Sequence, residues 1–279
     1  MDRLKLIVWA AVVVLATVCQ AGAQDSLSVF VSIQPQAYLV DRIGEERVAV
    51  EVLVPPGKSP ATYAPRPAQM TRLSRATLFF SIGVPFEQAL MPKVKGASQG
   101  LTLVDTTEGI SPRRFANGGR DPHVWMSPVL MKKQAATVCN ALCKAAPDSR
   151  EYFRANLERL LADLDRLDER VAEALAPLAG ETIFVFHPVF GYFADRYGLT
   201  QMAVEVAGKA PKGRALADFI KKAKAARIRV IFVQPQFDTR TAHKIATAIN
   251  GAVVPLDPLA KDYMTNLTTM AQTIRQAFK

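Results

Sequence analysis

Cysteine is scarce in this chain, with three residues in 279. That count excludes a disulfide-stapled scaffold and a cysteine-rich zinc domain, both of which need several paired thiols. Cys19 directly follows the first apolar run, which leaves Cys139 and Cys143 for the folded part of the chain. These two are four residues apart in a predicted helix, a spacing that matches disulfide geometry poorly. We therefore expect two free, semi-buried thiols.

Long apolar runs are also missing. The longest, Leu6–Val18, has ~13 residues, whereas a helix that crosses a membrane needs ~20. It follows the basic residues Arg3 and Lys5 and precedes the small residues Ala21-Gly22-Ala23, which is the pattern of a secretory signal peptide. We therefore predict export to the periplasm, with cleavage near Ala23.

Acidic residues are in the minority, 25 against 35 Lys and Arg, so the formal net charge is +10. A basic excess can indicate nucleic-acid binding. Here the basic residues are scattered along the chain and an exported protein rarely meets DNA, so we predict a solvated basic surface without a nucleic-acid partner. The hydrophobic share of 49% is that of a globular protein with a sizeable core.

Short apolar runs alternate with helical patterns along the rest of the chain. Most of the runs are continuous and rich in β-branched or aromatic residues, as in strands that are covered on both faces. The predicted strands are 27–33, 48–54, 78–82 and 101–104 in the first half and 183–186, 202–206, 230–233 and 252–256 in the second. Helices are predicted at 68–75, 130–145, 189–197, 215–226, 239–250 and 263–278. This alternation predicts an α/β fold with mostly parallel sheets.

One long amphipathic segment separates the two halves. Its apolar positions recur in steps of three and four from Tyr152 to Leu175, which predicts a helix starting near Asp148 or Ser149 and ending at Pro177. The apolar stripe is wider than a coiled-coil seam, so we favour a connector within one chain, and a monomer, over a dimer helix. The predicted organisation is a signal peptide (1–23), an N-terminal α/β lobe (24–146), a linking helix (147–177) and a C-terminal α/β lobe (178–279). Each lobe is predicted to be Rossmann-like.

Two polar residues directly follow predicted strands. His187 comes after the strand at 183–186 and Asp257 after the strand at 252–256. Open α/β sheets bind ligands in the crevice outside the carboxyl ends of their strands. A proline follows each of the two residues and blocks continuation of the strand. The alternatives are a hydrogen-bonded core histidine at 187 and a helix N-cap at 257.

His123 belongs to the first lobe, in a loop that precedes the helix at 130–145. Asp121 could accept a hydrogen bond from one of its ring nitrogens and orient the other towards a metal; the alternative is a solvated loop histidine. The third histidine, His243, lies mid-helix beside Lys244 and is expected on the surface. Two imidazoles and a carboxylate suit a divalent transition metal, zinc first and then manganese or iron.

The chain resembles the metal-binding receptors of bacterial zinc and manganese ABC importers. The likeness covers nearly the whole of the chain after the signal peptide, and its most specific motif is Asp-Pro-His-Val-Trp at 121–125. Other shared segments are 31–35, 55–60, 63–67, 187–199, 205–209 and 256–259. The resemblance implies that a rigid helix joins the two lobes. It also implies that one metal ion is held between them and is delivered to an inner-membrane ABC permease.

The four ligand positions of that family match Ala61, His123, His187 and Asp257. Ala61 departs from the pattern, since its side chain has no donor atom, and the family's histidine-rich loop is replaced by a short basic one at 111–120. A histidine rather than a carboxylate at 187 favours zinc over manganese.

Three explanations of the departure at position 61 remain open. Water or an oxygen donor could complete the site, and Gln34, Gln36 and Tyr63 are the candidates. A small chelator bound to the metal could occupy the open coordination position, or the site has lost the ability to bind metal.

Two other functions compete with the receptor. A metal-dependent hydrolase would also keep three protein ligands and one open position. No HExxH-type motif is present, and Glu205 could act as a base only if it faces the site. A receptor for an organic solute on the same scaffold is the other candidate.

Overall fold

The computed structural model describes residues 26–97, 100–205 and 210–279. The predicted signal peptide lies outside them. Within these ranges the chain forms eight strands, each close to its predicted position: β1 Leu27–Val31, β2 Val48–Val52, β3 Leu78–Ser81, β4 Thr102–Asp105, β5 Thr182–Val185, β6 Thr200–Ala203, β7 Val230–Val233 and β8 Ala252–Pro255.

Nine α-helices accompany the strands in the described ranges: α1 Gln34–Gly44, α2 Pro67–Leu73, α3 Pro85–Ala97, α4 Pro128–Ala145, α5 Arg150–Leu175, α6 Gly191–Tyr197, α7 Gly213–Ala225, α8 Arg240–Ala248 and α9 Tyr263–Ala277. Seven of them match predicted helices, and α1 and α3 were not predicted. None of the described helices is long and apolar enough to cross a membrane.

The strands form two separate four-stranded sheets, one in each lobe. The strand orders are β2-β1-β3-β4 and β6-β5-β7-β8, and every pairing is parallel. In each sheet the chain order reverses between the two central strands, so that their carboxyl ends flank a crevice. This confirms the predicted two-lobed α/β architecture.

The helix α5 joins the lobes and is anchored to both. Its buried apolar side chains follow the predicted stripe: Phe153, Leu160, Leu164, Leu167, Val171 and Leu175. On the first lobe, Arg42 donates to Asp163 at 2.5 Å and the Asn156 amide donates to the carbonyl of Ile43 at 3.0 Å. One hydrophobic cluster extends from the first lobe through α5 into the second, so the lobes share much of their core.

On the second lobe, the anchor of α5 is the buried carboxylate of Asp168. The Arg196 guanidinium and the Tyr197 hydroxyl of α6 both donate to it. Burial alone would raise the pKa of Asp168, but the hydrogen bonds from Arg196 and Tyr197 outweigh burial and lower that pKa. The carboxylate is therefore charged and paired at neutral pH.

The two cysteines lie in α4 as free, buried thiols with their sulfur atoms 3.9 Å apart. Burial, together with the neighbouring thiol of Cys143, raises the pKa of Cys139 to about 12. The Cys139 thiol is therefore protonated in the folded protein.

Candidate metal centre

His123 lies in the loop before α4, just ahead of a single 3₁₀ turn at Val124–Met126. Its Nδ1 is 2.7 Å from Oδ1 of Asp121, and its backbone N–H donates to the same oxygen at 3.0 Å. A carboxylate only accepts, so Nδ1 carries the proton and Nε2 keeps the free lone pair. This is how carboxylates orient metal-binding histidines, and it agrees with the role predicted for Asp121.

The environment of His123 favours its neutral form. Burial lowers the pKa of the imidazole, and the hydrogen bond to Asp121 opposes this effect without cancelling it. Metals bind neutral imidazole. The ring is therefore in the state that binds metal at neutral pH.

His187 lies two residues after β5, at the crevice of the second sheet. Its backbone N–H donates to Oε1 of Gln234, which follows β7, at 2.9 Å. Its Nδ1 is 2.6 Å from Oε2 of Glu205, a buried carboxylate that follows β6. The ring stacks on Phe237 with centroids 4.5 Å apart. Like His123, His187 has a carboxylate on Nδ1 and a free Nε2.

The partner of His187 follows from the register of the sheet. β5 pairs with β6 so that Thr182 faces Thr200 and Val185 faces Ala203, an offset of 18 residues. Continued two residues beyond the strands, the same offset places Glu205 opposite His187. Glu205 was not predicted to support a ligand. The offset of 18 residues identifies it as the partner of His187 once the strand pairing is known.

The two rings come together although they belong to different lobes. Their centroids are 5.3 Å apart and their planes are nearly perpendicular, at 83°. Two imidazole nitrogens at ~2.0–2.1 Å from one tetrahedral zinc place the ring centroids about 5 Å apart. The spacing is therefore that of two rings sharing one ion.

Glu205 is placed to support His187 and not to act on a substrate. Its carboxylate is on the Nδ1 side of the ring, and a metal would bind on the Nε2 side. A general base must be within hydrogen-bond reach of the proton that it removes. Glu205 is therefore not placed to act as the base considered for a hydrolase.

Asp257 was predicted to complete the site, and its side chain has a different environment. Its Oδ1 accepts from the Gln236 amide at 2.6 Å and from the backbone N–H of Leu259 at 3.0 Å. The residue lines a smaller cavity of about 200 Å³, and the two histidines line a larger one. In the described ranges no three His, Cys, Asp or Glu side chains form a group that could hold a metal ion.

The alternative prediction for Asp257, an N-cap, also differs from the structure. The next helix, α9, begins at Tyr263, and its cap is Asp262, which accepts from the backbone N–H of Thr265. Asp257 instead closes a short turn through Leu259, two residues on, as aspartates in loops commonly do.

The position without a donor, Ala61, lines the larger cavity together with both histidines. Three oxygen donors were considered for the open coordination position. Gln36 is engaged elsewhere, because its Oε1 accepts from the backbone N–H groups of Ser32 and Ile33. The Tyr63 hydroxyl donates to Gln69 at 2.6 Å. Gln34 lines the smaller cavity beside Asp257.

Polar contacts across the lobes hold the histidines in place. Nε1 of Trp125 donates to the carbonyl of Pro258 at 2.8 Å, and Tyr192 of α6 donates to the carbonyl of Asp121 at 3.1 Å. Arg113 pairs with Asp195 at 2.9 Å, and Nη1 of the same guanidinium lies 3.6 Å from Asp121. The loop that carries His123 is therefore fixed against the second lobe.

Known proteins share this sequence and fold. Residues 29–277 match the family described as "Zinc-uptake complex component A periplasmic". The chain belongs to this family. The crystal structure of a protein named ZnuA is 40% identical, covers 91% of this chain and 100% of its own, and superposes with a TM-score of 0.88.

Two more similarities connect the zinc-uptake component A family with metal. A deletion mutant of ZnuA crystallised with zinc bound is 40% identical, with a TM-score of 0.86, over 91% of this chain and 98% of its own. The high-affinity zinc uptake system protein ZnuA of Yersinia pestis is 25% identical over 268 residues, which cover 84% of this chain and 83% of that protein. The resemblance noted from the motifs is thus confirmed over the length of the fold.

Proposed function

We propose that this protein is a periplasmic receptor that captures one divalent transition metal ion, with zinc preferred to manganese, and delivers it to an inner-membrane ABC permease. The observation that carries the proposal is the pair formed by His123 and His187. The two rings come from opposite lobes, are 5.3 Å apart, and each has a carboxylate on Nδ1. Imidazoles oriented in this way suit a borderline ion such as zinc better than a hard one.

Asp257 is the third ligand in this proposal. The side chain of Gln236 lines both cavities and donates to the Asp257 carboxylate. Coordination requires the carboxylate to exchange that hydrogen bond for the metal. A metal–carboxylate contact at ~2.0–2.2 Å is stronger than a bond to a neutral amide, so the exchange is favourable when the ion is present.

A receptor explains the supporting groups better than a hydrolase does. Both carboxylates bonded to the rings, Asp121 and Glu205, hold Nδ1 atoms and are therefore not placed to act as bases at the Nε2 atoms. The protein acts as a monomer without enzymatic activity or a nucleic-acid partner in this proposal, after removal of the signal peptide near Ala23.

Isothermal titration with zinc and manganese, on protein purified without tags or chelators, tests the proposal. His123→Ala removes one of the two imidazole ligands and is expected to weaken zinc binding at least 100-fold, or ~2.7 kcal/mol. His243→Ala is the matched control, because His243 is exposed on α8 and is expected to leave the titration unchanged. Equal zinc affinities for the parent and His123→Ala would reject the metal centre.

The role of Asp257 is tested by a pair of variants. Asp257→Ala should weaken zinc binding, because a charged ligand is lost. Gln236→Ala should keep or increase the affinity, because it frees the carboxylate. If Asp257→Ala binds zinc as the parent does, Asp257 is not a ligand and only the two histidines remain in the site.

A further inference from the structure

The cavity beside His123 and His187 is much larger than a metal ion requires. Its volume is about 650 Å³. An ion and its donor atoms need only a shell with a radius of ~2 Å, whereas sites for small organic molecules measure ~300–1,000 Å³. The cavity thus has the size of a site for an organic molecule next to the metal.

The protein side chains on the cavity wall provide only part of a coordination sphere. His123 and His187 are on the wall, and so is Ala61, which has no donor atom; Asp257 lines the other cavity. Zinc usually takes four ligands. At least one coordination position therefore faces the open cavity even when Asp257 is bound, and two do when it is not.

The rest of the wall has a distinct chemistry. Apolar side chains form most of it: Val84, Met91, Phe115, Val189, Phe237 and Leu259. Phe237 already stacks on the ring of His187, with planes inclined by 23°. Such a wall favours a flat, apolar or aromatic molecule over a purely aqueous coordination shell.

One cation lies on the same wall. Arg120 donates to the hydroxyl of Thr107 through Nη2. Across the described part of the chain, no carboxylate lies within ion-pair distance of Arg120, although other arginines have such partners. Arg120 is linked to the Asp105 carboxylate on the same wall only through the Thr107 hydroxyl, so its guanidinium keeps donors for a carboxylate of the bound molecule.

We propose that the cavity binds the metal as a complex with a small aromatic N,O-chelator that carries a carboxylate, of the pyridine-carboxylate class. This inference rests on the proposed function, because it specifies the form in which the metal is captured. While Asp257 stays bonded to Gln236, the nitrogen and one carboxylate oxygen of the chelator fill the two open coordination positions. Its ring packs between the apolar side chains, and its other carboxylate oxygen accepts from Arg120.

The test uses zinc alone, zinc with pyridine-2-carboxylate, and zinc with glycine, which has the same donor atoms without the ring. Binding is followed by isothermal titration and the bound species by native mass spectrometry. The parent protein is expected to bind zinc at least tenfold more tightly with pyridine-2-carboxylate than alone. It should also show the mass of protein, zinc and chelator together, and the gain with glycine should be smaller.

Two variants separate the contributions. Ala61→His supplies a donor to the open position, so it should bind zinc alone at least tenfold more tightly than the parent and should not retain the chelator. Arg120→Gln should lose the preference for the chelated metal by about tenfold and bind zinc alone as the parent does.

The outcomes distinguish the two proposals. If pyridine-2-carboxylate only removes zinc from the parent and no ternary mass appears, the chelate inference is wrong and zinc capture stands. If glycine and pyridine-2-carboxylate enhance binding equally, the aromatic class is wrong. If the protein binds zinc in no form, the proposed function itself fails.

Discussion

The support of His123 by its surroundings can be tested at a glycine that does not touch it. Gly191 is the first residue of α6, and a Cβ at this position would lie 2.7 Å from Nη1 of Arg113 and 2.8 Å from Oδ2 of Asp121. Carbon and its non-bonded neighbours prefer separations of about 3.5 Å. Gly191→Ala must therefore displace both side chains, each by about 0.7 Å.

Of the two side chains, Arg113 moves more easily, and Asp121 must shift with it. The Asp121 side chain has no exposed surface, and its Oδ1 is held by two donors of His123, whereas the Arg113 side chain is 29% exposed. Oδ2 of Asp121 is buried and has no hydrogen-bond partner, so the guanidinium at 3.6 Å is its compensating charge. Moving Arg113 leaves that charge less compensated and disturbs the carboxylate that orients His123.

Stability and metal binding should respond differently to Gly191→Ala. The Arg113–Asp195 pair is largely exposed and contributes about 0–1 kcal/mol, while alanine in place of glycine in a helix gains up to about 1 kcal/mol. The free energy of unfolding should thus change by less than about 1 kcal/mol. Loss of a carboxylate that supports a metal-binding histidine typically weakens binding 10–100-fold, which is about 1.4–2.7 kcal/mol.

Zinc titrations and urea denaturation of Gly191→Ala measure the two quantities. Gly100→Ala is the matched control, because a Cβ there meets nothing within 4 Å and its backbone is not left-handed. Zinc affinity within twofold of the parent, with stability unchanged, would show that Arg113 and Asp121 do not act on His123. A loss of stability well above 1 kcal/mol would show that the added methyl group distorts the fold and is not accommodated by movement of the side chains of Arg113 and Asp121.

Three further outcomes are expected. Asp168→Asn should lower the free energy of unfolding by about 1–2 kcal/mol in urea denaturation. Because pairing lowers the Asp168 pKa, the stability that this carboxylate contributes is fully present above the ordinary aspartate pKa of ~3.9 and is lost as the pH falls through the lowered pKa of the folded protein. A variant as stable as its parent at pH 7 would contradict this. Proton competition at His123, read from zinc titrations at several pH values, should begin only below the ordinary histidine pKa of ~6.5, because burial lowers that of His123; an affinity that falls between pH 8 and 7 would not fit. Cys139 and Cys143 should resist a thiol reagent until the protein unfolds, and prompt labelling of the folded protein would refute their burial.

The strands could be predicted because each is a short apolar run with turn residues at its end. β7 was predicted with its observed bounds, Val230–Val233. β6 was predicted two residues or more too late, because it is an edge strand that begins with the polar pair Thr200 and Gln201. An edge strand can contain polar residues because it is buried on one side only. The sequence does not reveal which strand is at the edge.

The two helices that were not predicted both contain a proline. In α1, Pro35 lies in the first turn, where no backbone donor is needed, so it begins the helix and does not break it. In α3, Pro92 is inside the helix, a position that costs ~3 kcal/mol in isolation. Tertiary packing offsets such costs, and it cannot be read from local sequence.

In the site, too, contacts between residues close in sequence could be predicted, and contacts between distant residues could not. The Asp121–His123 contact spans two residues and was predicted from sequence, whereas the Glu205–His187 contact spans 18 and required the strand register. The convergence of His123 and His187 followed only from the family resemblance, because 64 residues and two lobes separate them.

The hydrogen bond of Asp257 could not be predicted from the sequence at all. Its partner, Gln236, follows β7 as Asp257 follows β8, and these strands are neighbours with an offset of 22 residues. Continued past the strands, that offset pairs Asp257 with Pro235, so the contact with Gln236 is one residue out of register. The conformation of a loop that leaves the strand register depends on which side chains form hydrogen bonds with each other. Here the Asp257 carboxylate and the Gln236 amide bond to each other as long as no cation takes the place of the amide. In the proposed site, Asp257 is therefore the residue whose conformation depends most on a bound metal ion, and the two histidines, each fixed by its own carboxylate, depend on it least.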